Sequence, residues 1–296
     1  MAIAEFKYEL VKVERGYNNR TLYINLSTNK IASRPVSQKM KDIFIGGRGF
    51  NLWLLWNALP KDRVVRWDDP ENEVCIACGP LGGTPVYPGS GKSIAVSISP
   101  LTGTVVDSNV GGYFGPFLKF AGWDALEVQG KPKSEVVIFI DGDKGVVQVE
   151  DASKLSSETH LVVEALAKKY GGDNPRSITT VSSGPGAEHT LFGCLNFSFY
   201  DSGRKMHRYK QAGRGGIGTV LRNKKIKAIV VKYSGAITVE SNGPADPETI
   251  KEIGRIYNQE IRELDPKQNE MATIGTTHLV SIMNEFDLLP TNNFRF

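Results

Sequence analysis

Three glycine-rich stretches hold the residues best suited to chemistry: Pro88-Gly-Ser-Gly-Lys-Ser93, Asn109-Val-Gly-Gly112, and Ser202–Gly218, which reads SGRKMHRYKQAGRGGIG. The chemistry they suit is phosphate binding. Glycine lets backbone N–H groups approach an anion, and the N–H groups at a helix start point outward toward one. Arginine offers phosphate oxygens two parallel hydrogen bonds, and lysine offers a compact charge. Tyr113, Phe114, Phe117, Leu118 and Phe120 recur at helical spacing, so the turn at 109–112 is expected to open a short helix. Plainer readings account for the same letters: a strand-to-helix turn at 109–112 and a solvated basic loop at 202–218.

Two named phosphate motifs fit in letters only. Gly91-Lys92-Ser93 ends like a P-loop, but Val86 stands where that motif has its first glycine. The residues that follow, Ser93-Ile-Ala-Val-Ser-Ile-Ser99, alternate like a strand where the motif needs a helix. Gly213-x-Gly215-x-x-Gly218 spells a dinucleotide fingerprint, yet it reads as following a basic loop, with no acidic residue at the expected place. Cys75-x-x-Cys78 lies on an apolar run from Glu73, and residues three apart on a strand point to opposite faces. Both cysteines are therefore read as separated core thiols. Cys194 and His207 have no neighbours at metal spacing, and His207 reads as a surface or packing residue.

Short strands and turns must position these stretches. Strands are expected at 20–26, 31–36, 73–78, 93–99, 124–129, 176–182, 190–199 and 227–232, with a hairpin at 135–140 and 146–150 around Asp141-Gly142-Asp143-Lys144-Gly145. Ser37 is placed to cap a helix over 38–44, and an apolar helix from Phe50 ends before Pro60. Trp53 and Trp56 share a face of that helix and read as core. Ser156–Tyr170 is amphipathic. Residues 1–20 show no clear pattern. After the linker Glu240–Pro247, helices are expected at 247–264 and 270–286.

The chain has 296 residues, 40% hydrophobic and 23% charged, with a formal charge of +4. That is globular composition for one large domain or two smaller ones. The basic run Arg222–Lys227 is too short to argue nucleic acid and reads as a solvated face. No apolar run is long enough for a membrane span, and the first residues lack a secretory pattern. Three cysteines give no disulfide framework and suit a reducing cytoplasm.

Taken together, the glycine stretches resemble the N-terminal part of the aldehyde ferredoxin oxidoreductases, the tungsten-pterin enzymes. The matching pieces are Gly46-Gly-Arg-Gly49, Glu71-Asn72 with Cys78-Gly-Pro-Leu81, Ser99-Pro-Leu-Thr-Gly103 and Ser108-Asn-Val-Gly-Gly-Tyr-Phe-Gly115. They continue with Lys119-Phe-Ala-Gly-Trp-Asp124, Gly184-Pro-Gly-Ala-Glu188, Ala212-Gly-Arg-Gly-Gly-Ile-Gly218 and Lys225-Ile-Lys-Ala-Ile229. The resemblance runs from about residue 20 to 235 and fades into Gly275-Thr-Thr277 and Pro290-Thr-Asn-Asn-Phe294.

The resemblance implies an α+β fold: a β-rich domain of two sheets with a few helices over 1–235, then a linker and the first helices of a helical domain over 236–296. It implies a tungsten held by two pterins, with pterin phosphates at Lys92, Asn109, Gly111, Lys210, Gln211, Gly213 and Arg214, and a bridging magnesium at Asn109 and Gln211. The family usually has arginine at positions 92 and 210, and its segment at 200–211 is shorter, so Arg208 could replace Lys210. The family's iron–sulfur cysteines and proton-handling residues are expected beyond residue 296. This chain would supply one wall of a site completed by a helical half or a partner subunit.

The implied reaction is oxidation of aldehydes to carboxylates, with electrons passing through a [4Fe-4S] cluster to ferredoxin. The alternatives are a related tungsten enzyme reducing aromatic thioesters, a noncatalytic pterin-binding or subunit-interaction module, and a P-loop nucleotide hydrolase. Neither nucleic acid nor membrane is expected as a partner.

Overall fold

Alternating apolar side chains become strands wherever one face can be buried. The computed structural model describes residues 2–268, 270–292 and 295. Asn293 and Phe294, at the end of the last matching stretch, lie outside them.

In chain order the first elements are β1 (Ala2–Lys7), β2 (Arg20–Asn25), β3 (Lys30–Pro35), α1 (Gln38–Ile43), α2 (Arg48–Ala58), β4 (Val74–Ala77), β5 (Ser93–Ile98) and β6 (Val105–Val110). Then come α3 (Phe114–Phe120), β7 (Ala125–Gln129), β8 (Val136–Asp141), β9 (Val146–Asp151), α4 (Thr159–Leu166), β10 (Ile178–Ser182) and β11 (Leu195–Asp201). The chain continues with β12 (Met206–Ala212), α5 (Ile217–Asn223), β13 (Ile226–Lys232), α6 (Pro247–Gln268) and α7 (His278–Glu285).

The strands form two mixed sheets, as an α+β fold requires. A six-stranded sheet runs β3-β2-β7-β4-β5-β6, and a seven-stranded sheet runs β1-β9-β8-β13-β10-β11-β12. Among the described residues only β2/β7 and β8/β13 pair in parallel. The helices α3 and α5 touch strands of both sheets, so they lie between them. Phe114, Leu118, Trp123, Phe197 and Ile217 are buried in that shared core. On the outer face of the six-stranded sheet, α1 and α2 pack Met40, Phe50 and Leu55 against Cys75, Val96 and Ala125. On the outer face of the other sheet, Val162 and Leu166 of α4 cover Val137, Phe139 and Val230. Ser37 caps α1, its Oγ accepting the Met40 N–H at 3.1 Å.

The chain divides into two compact units, Met1–Pro85 with Gly89–Ala245, and Val86–Pro88 with Asp246–Phe296. In the second, Asn258 of α6 donates to the Val86 carbonyl at 2.9 Å, and Tyr87 meets the edge of Tyr257 at 5.9 Å.

Several expectations are corrected. Residues 2–7 form β1, an edge strand paired with β9. The basic stretch is no loop: 206–212 is β12, paired residue for residue with β11, and 217–223 is α5. The run Arg222–Lys227 is not solvated, because Arg222, Lys224 and Lys227 are all buried. Trp56 is exposed, with the Lys61 ammonium 4.0 Å from its ring centre, so it is not core. Cys75 and Cys78 are free and buried, as expected. Cys78, however, lies one residue past β4, where its Sγ sits 3.4 Å from the Gly115 carbonyl.

Candidate functional site

The two sheets bring their edge strands β6 and β12 together, and the glycine stretches sit there. On β6, consecutive side chains leave on opposite faces. Asn109 pairs with Ile94 and faces the α2 side, while Ser108 pairs with Ala95 and faces the shared core. Lys92, in the turn before β5, donates from Nζ to Asn109 Oδ1 at 3.3 Å, and both residues are exposed. The turn is pressed against the second glycine stretch: a Cβ on Gly91 would lie 2.5 Å from the Gly112 carbonyl oxygen.

The third stretch reaches the same strand from the other sheet. Ser108 Oγ accepts the backbone N–H of Arg214 at 3.0 Å. Gly215 (φ +69°) lies so close to β6 that a Cβ would stand 2.4 Å from Val106 side-chain atoms. Residues about 100 apart in sequence are thus locked by one hydrogen bond and one close approach. Ser108, which sequence reasoning gave no role, makes that hydrogen bond. Its signal was a hydroxyl at a buried strand position beside the Asn-x-Gly-Gly turn.

The glycines divide by cause. Gly112 needs its left-handed φ of +124°, and Gly215 and Gly216 need both φ and space. Gly111 and Gly213 need neither: a Cβ would meet nothing within 4 Å, and their φ values lie outside the left-handed region. Among the described glycines only Gly79 and Gly186 share that condition. Gly111 and Gly213 therefore leave bare backbone facing open space beside exposed cations.

Those cations are unpaired. Among the described residues, Lys92, Lys210 and Arg214 are exposed and make no ion pair with a carboxylate, whereas their neighbours do. Arg48 holds Asp107 at 2.8 Å, and Arg204 and Arg208 hold Asp201 at 3.0 and 3.5 Å. Arg208 is thereby engaged, which leaves Lys210 as the available charge on β12. Gln211 stands apart. It leaves β12 on the face opposite Lys210 and Ala212, and its Nε2 donates to Asn196 Oδ1 at 3.3 Å. Among the described residues no hydrogen bond joins the Asn109 and Gln211 side chains. Among the described residues, no cluster of three or more His, Cys, Asp or Glu is placed to hold a metal ion.

Both named motifs fail on topology. Ser93 opens a strand, so the P-loop has no helix. A strand does precede Gly213, against the sequence expectation, but β12 and β13 flank α5 without being neighbours in the sheet. The βαβ unit that a dinucleotide needs is absent.

Residues 21–233 match the family described as aldehyde ferredoxin oxidoreductase, N-terminal domain. The chain belongs to this family. It is 34% identical over 280 residues to a tungsten-containing aldehyde ferredoxin oxidoreductase of Pyrococcus horikoshii, and 35% identical over 281 residues to one of Thermococcus kodakarensis. Each alignment covers 95% of this chain and 43% of the relative, so the chain spans less than half the length of these proteins. A WOR-like subunit of an aliphatic sulfonate oxidoreductase from Pyrococcus furiosus is 33% identical over 240 residues, covering 75% of this chain and 35% of its own. Among solved structures, the active-site complex BamBC of benzoyl-coenzyme A reductase, bound to 1,5-dienoyl-CoA, superposes with a TM-score of 0.64 at 27% identity. That match covers 77% of this chain and 32% of the other. No helix among the described residues is long and apolar enough to cross a membrane.

Proposed function

We propose that this chain forms the phosphate-binding wall of a tungsten-pterin oxidoreductase that oxidises aldehydes to carboxylates and passes the electrons through an iron–sulfur cluster to ferredoxin. The observation that carries this reading is the pair Gly111 and Gly213. Nothing in the fold requires glycine at either position, and both open beside unpaired cations at one strand end. A ligand with more than one phosphate fits such a place.

The fit can be stated residue by residue. Lys92, Lys210 and Arg214 would balance phosphate charge, Arg214 with the two-pronged geometry that lysine lacks. The backbone at Gly111 and Gly213 would approach the phosphate oxygens directly, which a side chain would prevent. The Asn109 amide oxygen, which accepts from Lys92 Nζ here, would suit a hard magnesium ion beside the phosphates. The Gln211 Oε1 would suit the same ion, since the contact with Asn196 is made by Nε2. When bound, the tungsten centre supplies the redox chemistry, and the chain supplies placement and electrostatics. The tungsten relatives support the choice of cofactor. The aliphatic sulfonate and benzoyl-CoA relatives support a second reading, in which the same wall serves an enzyme acting on another substrate, such as an aromatic thioester.

The test is tungsten and pterin content in the complete enzyme carrying Gly111→Ala or Gly213→Ala. Both are expected to fold normally, because the added methyl meets no protein atom, and to lose bound cofactor. Full cofactor in both variants would end the phosphate-wall reading.

A further inference from the structure

Beyond Tyr113, at the far end of β11 from Arg214, lies a cavity of about 680 Å³. That is within the range of pockets that hold small molecules. Tyr113, Phe117, Phe199, Tyr200 and Tyr233 give it an aromatic side. Tyr113 is 50% exposed and meets Phe199 edge-on at 5.1 Å, and Tyr233 packs against Phe117 at 6.1 Å and stacks on Phe120 at 5.4 Å. These contacts fix the rings while leaving the Tyr113 surface bare.

The cavity also carries charge. Arg176 lines it, and among the described residues its guanidinium has no ion pair. Asp201 lines it too, but its carboxylate is held by Arg204 and Arg208. A fixed aromatic wall beside one uncommitted guanidinium selects a flat ring bearing an anion. Aromatic rings favour edge-on and offset contacts with other rings, and a carboxylate matches the guanidinium fork. The nearby Asp201 charge disfavours a dianion more than a monoanion.

We infer that this cavity binds an aromatic carboxylate, the ring against Tyr113 and Tyr233 and the carboxylate on Arg176. The inference goes beyond the phosphate wall and does not depend on what fills it. Phe199 and Tyr113 border both places, Phe199 lying 3.5 Å from where a Gly112 Cβ would stand and Tyr113 following Gly112 in the chain.

Isothermal titration of the purified full enzyme tests it, with naphthoate, its uncharged match naphthamide, the non-aromatic octanoate, and naphthyl phosphate as probes. Naphthoate is expected to bind at least about tenfold more tightly than naphthamide or octanoate, and more tightly than naphthyl phosphate. Arg176→Gln should weaken naphthoate about tenfold. Tyr113→Ala should weaken it by about threefold or more. The inference is overturned if naphthoate does not bind, if naphthamide or naphthyl phosphate binds equally well, or if Arg176→Gln changes nothing. It is also overturned if Arg214→Ala abolishes naphthoate binding, which would place the ligand at the phosphate wall. The probe comparison on the unmodified enzyme stands even if a variant folds poorly.

Discussion

Two sets of cations in this molecule look alike in sequence and behave oppositely. Lys119, Arg222, Lys224 and Lys227 are buried, and each finds hydrogen-bond or ion-pair partners inside the fold, with Nη1 of Arg222 alone among their side-chain nitrogens left without one. Lys119 Nζ donates to the carbonyls of Gly79, Pro80 and Gly82 at 2.9, 2.7 and 2.9 Å, and to Asn242 Oδ1 at 3.2 Å. Arg222 and Lys227 share Glu135 at 2.9 Å each. Lys92, Lys210 and Arg214 are exposed and have no carboxylate partner among the described residues. A buried cation must be satisfied or the fold fails, so the first set belongs to stability. An exposed, unpaired cation contributes little to stability and is free to meet a ligand.

The largest expected effect is at Lys119. Replacing it by Met strands several buried carbonyls and should cost about 3 kcal/mol or more, read as a lowered urea midpoint. A loss within about 0.5 kcal/mol would show that the carbonyl cage is not structural.

The next concerns buried charge and pH. Burial first, then the neighbouring Glu127 charge, pushes Glu73 up to about 8. The native fold keeps a proton there that the unfolded chain releases in the ordinary carboxylate range. Stability should therefore fall as pH rises from that range to about 8, by at most about 1.4 kcal/mol per pH unit. Glu73→Gln should flatten that slope, and an unchanged slope would contradict the assignment. Lys224 works the other way. Burial lowers it to about 8, so its contribution to stability rises with pH above that value, toward the ordinary lysine range.

The smallest effects on stability are expected at the exposed set. Lys92→Ala, Lys210→Ala and Arg214→Ala should each shift stability by no more than about 0.5 kcal/mol in denaturant titrations. A large loss in any of them would move that residue into the buried class and blur the division.

Much of this was legible in the letters. Alternation located β2 and β5, the turn at Asp141–Gly145 located the hairpin of β8 and β9, and helical spacing located α3. The loops at 109–112 and 212–216 were legible because glycine marks close approach. What was not legible is what depends on distant partners. The edge strands β1 and β12 carry charged residues where a strand faces water, so no apolar alternation announces them. Burial of Arg222 is decided by Glu135, far back in the chain, and burial of Lys224 by the carbonyls of Pro70 and Gly130. Local composition carries neither fact. The neighbour of Gln211 shows the same limit: strand register sets Asn196 opposite Gln211, whose Nε2 donates to it.

The most direct test of the division is tungsten per protein molecule measured beside the thermal midpoint in the complete enzyme carrying Arg214→Ala or Asn109→Ala. The account predicts that both variants lose tungsten while the midpoint stays near that of the unmodified enzyme. Full tungsten in both variants, or tungsten lost only in step with a fallen midpoint, would contradict it.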